Sequence, residues 1–325
     1  MVTAPGTSLR IVFFGTPDFA VPTLEALHHS RHPVVAVVTQ PDRAKGRGQH
    51  SQAGPVKQFS QQHGVTILQP ERLRDEGFLD TLRALSADLG VVAAYGKILT
   101  DAVLAIPAHG LINVHASLLP KYRGAAPIHR AVMAGETETG VTIMRVVKAL
   151  DAGPMISRAV RPIGETETSA EVEHDIARIG ARLLLEAADA IADGRASAVP
   201  QVETDATYAN KIEKADGIID WSRPAVEIHN QIRGLHPWPH AFSELQGERT
   251  ILLRSEVGPA LPGTPAAPGT IIDAHADQLR VQTGRGILRV LMLQREGRRP
   301  VTAREFLAGR RTQPGAAFVG SLGAP

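Results

Sequence analysis

Between residues 9 and 115 the chain repeats one pattern: a run of four to eight mostly apolar residues, a turn, then a stretch with helical spacing. The runs fall at 9–14, 34–39, 65–68, 88–95 and 111–115, with helical stretches near 55–63 and 75–85 between them. A strand that faces solvent on one side alternates polar and apolar residues. Near-continuous apolar runs therefore imply strands covered on both faces, which is the texture of a parallel sheet with helices packed above and below. The first repeat shows the unit in full: LRIVFF, the turn GTPDFA, then Phe19, Leu24 and Leu27 along one side of a helix. An α/β, Rossmann-like, mostly parallel sheet is the expected fold of this half.

Strands are expected again at 139–147 and 155–163, followed by a long helix. Thr168 and Glu171 open that helix as a capping box, and Val172, Ile176, Ile179, Leu183, Ala187 and Ile191 recur at spacings of three and four. Asp193-Gly194 ends it. Residues 196–207 lack a period and read as a linker, after which short strand-like runs at 250–254, 269–272, 278–282 and 287–293 alternate with Gly, Pro and Asp turns. That spacing predicts a small β-barrel or sandwich. A length of 325 residues exceeds what one core usually organises, so the expected division is 1–195, a linker at 196–207, and 208–325.

Several classes of function are excluded. With no cysteine there is no thiolate nucleophile, no thiolate zinc site and no iron–sulfur cluster. No apolar run approaches the roughly 18 residues of a membrane span, and the opening MVTAPGTS is not a secretory leader, so a cytoplasmic protein without membrane partners is expected. The net charge of +2 hides two basic regions: 43–57 holds four Lys/Arg and no acid, and 280–311 holds nine Arg against two Glu. Two such regions in separate domains point to a polyanionic partner held through phosphates.

The densest chemical signal is the string at 111–128, LINVHASLLPKYRGAAPI. Alternation along a strand puts Asn113 and His115 on one face, at the carboxyl edge where open α/β sheets bind ligands. An amide is a donor at any physiological pH, and an imidazole can relay protons near neutrality. The turn at 15–18 lacks the G-x-G-x-x-G spacing of a dinucleotide site, so no nicotinamide or flavin is expected.

The Asn-x-His strand end, the Ser117–Pro120 loop (SLLP) and Asp151 before Gly153 together resemble the signature of the folate-dependent formyltransferases. Within that group, GTPDFAVPTLEAL, TQPDRAKGRG, VVAAYGKILT, GVTIM, IDWS and HPWP resemble the pattern of the methionyl-tRNA formyltransferases along nearly the whole chain. The resemblance implies 10-formyltetrahydrofolate as donor, methionyl initiator tRNA as acceptor, and Asn113, His115 and Asp151 as the catalytic group. It implies further that Ser117, Leu118, Leu119 and Pro120 form the folate loop, with 91–96 as a neighbouring wall. Arg43, Lys45 and Arg47 would lie in a loop that meets the tRNA acceptor stem, and the second domain would be an OB-like barrel. Arg298, Arg299, Arg310 and Arg311 would touch the tRNA backbone there. Gln49-His50-Ser51 depart from the lysines that several members carry after the basic loop. No metal is implied, and a monomer is expected. The nearest alternatives are a formyltransferase acting on glycinamide ribonucleotide or a nucleotide sugar; a non-catalytic RNA-binding protein would not need the Asn, His and Asp together.

Overall fold

The apolar runs lie side by side in one sheet. The computed structural model describes residues 7–45, 50–259, 266–309 and 312–320. Its elements begin β1 (Ile11–Gly15), α1 (Val21–His28), β2 (Val34–Val38), β3 (Arg43–Lys45), β4 (His50–Gln52), α2 (Pro55–Gln62), β5 (Ile67–Leu68), α3 (Glu76–Ala84), β6 (Leu89–Ala93), α4 (Asp101–Leu104) and β7 (Leu111–His115). They continue with β8 (Arg123–Gly124), α5 (Pro127–Ala134), β9 (Glu138–Arg145), β10 (Met155–Pro162), α6 (Ser169–Ala192) and β11 (Tyr208–Ala209). The chain divides into a first unit, Met1–Ala125, Thr139–Arg161 and Glu173–Ala209, and a second, Ala126–Glu138, Pro162–Val172 and Asn210–Pro325. No single cut separates the two.

The large sheet runs β10-β9-β7-β6-β1-β2-β5. Strands β5, β2, β1, β6 and β7 are parallel, and β9 joins β7 antiparallel with His115 opposite Thr142. Every residue of β1 is buried, as its unbroken apolar run requires. Burying side chains such as Phe13, Phe14, Leu24 and Leu27 stabilises by about 1.5–3 kcal/mol each. Two glycines let neighbours close in. A Cβ on Gly90 would lie 2.4 Å from Leu111, and one on Gly180 of α6 would lie 2.7 Å from Val114. The second contact orients β7: Val114 faces α6, so alternation turns Asn113 and His115 to the opposite side of the sheet.

The remaining elements are α7 (Ala225–Gly234), β12 (Ala241–Leu245), β13 (Glu248–Gly258), β14 (Ile271–His275), β15 (Gln278–Gln282), β16 (Ile287–Arg295), β17 (Val301–Thr302), α8 (Ala303–Gly309) and β18 (Phe318–Val319). They form an antiparallel sheet in the order β14-β15-β16-β13-β12-β18. It closes on itself, because Ile271 N donates to Ala316 O and Phe318 N donates to Gly269 O. Closure leaves no long free edge, consistent with the expected OB-like barrel. Trp221 fills the barrel beside Phe318 and donates through Nε1 to Ser243, so the IDWS string serves packing. Helix α5 belongs to this unit: it packs on α7, and Arg130 grips Asp216 with both terminal nitrogens.

Burial holds His129, His229, His236 and His240 of the second unit below the ordinary imidazole value of 6.5. These rings resist protonation in the folded chain more than in the unfolded one. The stability that depends on their staying neutral is therefore complete above about pH 6.5 and is lost as pH falls through the lower folded values. The denaturant midpoint should drop between about pH 7.5 and pH 5.5; a flat profile over that interval would contradict the burial argument.

Candidate active site

Strand β7 ends at His115, whose side chain is only 5 % exposed, while Asp151 on the loop after β9 is 17 % exposed. His115 Nε2 lies 3.0 Å from the carbonyl oxygen of Tyr122. A carbonyl only accepts, so this bond places a hydrogen on Nε2 and leaves Nδ1 as the nitrogen that exchanges a proton. Nδ1 points at Asp151 Oδ2, 3.6 Å away. That separation is longer than a formed hydrogen bond, so the carboxylate faces the nitrogen without yet being bonded to it. The ring is therefore oriented by the Tyr122 carbonyl, with Asp151 facing its open nitrogen. The resemblance pointed to Asp151, while the backbone acceptor had no signal in the sequence.

Asp151 is held through both its side chain and its backbone. Gly124 N donates to its Oδ2 at 2.8 Å, and its own carbonyl accepts from Gln201 Nε2 at 2.8 Å. Two residues on, Gly153 leaves no room for a side chain, since a Cβ would sit 1.8 Å from Arg145 O. Asp151 (φ 47°) and Tyr122 (φ 60°) both adopt the left-handed region without being glycine. Non-glycine residues held there cost on the order of 1–3 kcal/mol, and such positions gather at functional sites. Asn113, on the same face as His115, is half-buried, and its amide has no hydrogen-bond partner among the described residues.

The other expected site residues fall into two groups. Ser117–Pro120 follows β7 directly, but much of its polarity is used internally. Ser117 Oγ donates to Lys121 O, Thr142 Oγ1 donates to Ser117 O, and Leu119 N donates to Thr142 Oγ1. Leu118 stays half-buried. Beyond β6, Tyr95 is buried with its hydroxyl unpartnered, and burial pushes its pKa up to about 12. Arg43 and Lys45 lie on β3, which pairs with β4 as a hairpin; Arg47 lies outside the described residues. Lys57, counted among the basic residues there, is committed to Asp42 at the hairpin's root, and holds that carboxyl below its usual range. In the second unit Arg295, Arg298 and Arg299 line a cavity of about 490 Å³ with Val301, Glu305 and Phe306. Arg299 is paired to Glu305, whereas the Arg298 side chain has no partner among the described residues; Arg310 and Arg311 lie outside them. Among the described residues, no three His, Asp or Glu side chains are grouped to hold a metal, and no helix is long and apolar enough to cross a membrane.

Comparison with known proteins supplies the family. Residues 9–188 match the formyl transferase family and residues 211–311 match the formyl transferase C-terminal domain. A methionyl-tRNA formyltransferase of Methylobacillus flagellatus is 47% identical over 311 residues, 95% of this chain and 99% of the relative. One from Citrifermentans bemidjiense is 45% identical over 311 residues, 95% and 96% of the two chains. Among solved structures, a sugar 3N-formyl transferase crystallised with dTDP and 5-N-formyl-THF superposes with a TM-score of 0.66 at 17% identity. It covers 90% of this chain and 99% of its own, and shows likeness of fold.

Proposed function

The chain belongs to the formyl transferase family, and from that premise we propose that it moves the formyl group of 10-formyltetrahydrofolate onto the amino group of methionyl initiator tRNA. The observation that carries the chemistry is the facing of His115 Nδ1 and Asp151 Oδ2 across 3.6 Å, beside the unpartnered amide of Asn113. The amine nitrogen attacks the formyl carbon and turns its oxygen negative. Asn113 donates to that oxygen, the kind of contact that strengthens as charge develops. His115 takes the proton from the attacking nitrogen at Nδ1, where Asp151 steadies the imidazolium, and returns it to N10 of the folate as the carbon–nitrogen bond breaks. The atoms balance with no metal and no covalent enzyme intermediate. A half-buried donor with no partner among the described residues fits a donor substrate whose carbonyl oxygen is to be bound there.

In this scheme 1–195 carries the chemistry and 208–325 the barrel, with Ser117, Leu118, Leu119 and Pro120 beside the folate. The loop with Arg43, Lys45 and Arg47, together with Arg298 and Arg299, contacts tRNA phosphates, so binding should weaken with salt. The protein acts as a monomer in the cytoplasm. Incubating the purified chain with methionyl initiator tRNA and 10-formyltetrahydrofolate should yield formyl-methionine on the tRNA. Failure there, with formylation of a nucleotide-linked amino sugar instead, would move the chain to another branch of the family.

A further inference from the structure

We propose that Gln201 is a positioning residue that sets the distance between Asp151 and His115. Its place in the chain, nine residues beyond α6 and in a stretch with no periodicity, gives no hint of this. Its amide nitrogen donates twice, to Asp151 O and to Gly153 O, both at 2.8 Å. Its amide oxygen accepts from Arg123 Nε at 3.1 Å. Arg123 is buried, and its two terminal nitrogens clasp the Glu203 carboxylate at 2.9 Å each, the bidentate geometry that best fixes a guanidinium.

The neighbours of Arg123 make this more than a structural bond. Tyr122 supplies the carbonyl that orients His115, and Gly124 supplies the N–H that holds Asp151 Oδ2. The same segment is pinned by backbone and side-chain bonds to the stretch after Gln201: Arg123 N donates to Thr207 O and Tyr122 N to Thr207 Oγ1. β11 pairs with β8 in parallel. One amide side chain thus ties the Asp151 loop to Arg123, next to the Tyr122 carbonyl that orients His115. A planar amide suits the task because it has two N–H groups for two carbonyls and an oxygen for the guanidinium. No shorter or singly functional side chain meets all three partners. The 3.6 Å gap is therefore a property of this bridge as well as of β7.

The role rests on the formyl-transfer reading above, and the test separates the two. Gln201→Leu removes all three bonds. Gln201→Glu keeps the acceptor for Arg123 but sets a carboxylate against two carbonyl oxygens. Both should lower kcat by between about tenfold and 10²-fold, as small misplacements of a reacting group do, with KM for folate and tRNA within about twofold. Independently of activity, hydrogen exchange at the Gly124 amide should speed up as Asp151 Oδ2 loosens, while amides in β1 and β6 keep their protection. Asp80→Asn, which breaks an exposed ion pair with Arg83 on α3, touches none of these groups and should be close to wild type in kcat. Wild-type kcat in Gln201→Glu would overturn the proposal, as would activity that falls only in proportion to the folded fraction. A wild-type chain that formylates nothing, with Gly124 exchange responding as stated, would remove the formyl-transfer reading and keep the bridge.

Discussion

His115→Ala is expected to lower kcat for formyl transfer by about 10²- to 10⁴-fold, the usual range for a positioned general acid–base group, with KM for both substrates little changed. The reacting amine loses a proton as it attacks, and the folate nitrogen must gain one to leave. Nδ1 is the one ring position free for that traffic, because Nε2 is committed to the Tyr122 carbonyl. Alanine also strips the Tyr122 carbonyl of its donor, so His115→Gln is the sharper variant. A glutamine amide nitrogen sits where Nε2 does and can still donate toward Tyr122 but cannot relay a proton, and its kcat should be as low as that of alanine. Single-turnover formylation with folate and tRNA at saturation checks both, with unfolding midpoints measured alongside. Turnover within about threefold of wild type in either variant, against that expected range, would take His115 out of the proton path.

The sheet was legible before the structure because it rests on a local property. A strand buried on both faces has to be apolar along its length, and the runs at 9–14, 34–39 and 111–115 became β1, β2 and β7. The common face of Asn113 and His115 followed from the same two-residue period. Whatever depends on contacts distant in sequence was silent. Helix α5 has an ordinary helical sequence between two first-unit strands, yet it clusters with the barrel, since packing on α7 is decided by shape and by the Arg130–Asp216 pair. The stretch at 196–207 shows no period because its work is done by single polar groups, Gln201, Glu203 and Thr207, each answering a specific partner. Charge counting misled in one place: Lys57 sits in a basic run but is neutralised by Asp42, which lies just outside it. At the site itself, Asp151 was reached through resemblance alone, and the Tyr122 carbonyl and Gly124 amide could not have been reached at all. Backbone groups are the same in every residue, and only the fold decides where they point.

Asn113→Ala should lower kcat by about 10²- to 10³-fold, roughly 2.7–4 kcal/mol of lost transition-state stabilisation. The side chain has no partner among the described residues, so its removal leaves none of them stranded and should cost little stability. That separates it from His115, whose loss unpairs a carbonyl. Asn113→Asp sharpens the test at constant size: it deletes the N–H donor and brings a negative charge toward an oxygen that is itself becoming negative. Its kcat should fall at least as far as that of alanine, and substrate carbonyl binding should gain nothing in return. The double variant Asn113→Ala/His115→Ala discriminates further. If the two groups act on one tetrahedral intermediate, losing either makes the other far less useful, and the double loss should be much smaller than the product of the single ones. Multiplicative losses would mean that the two side chains serve separate steps. In that event the shared face of β7 would be a packing coincidence, and the oxygen's donor would have to be sought among the backbone groups after β6.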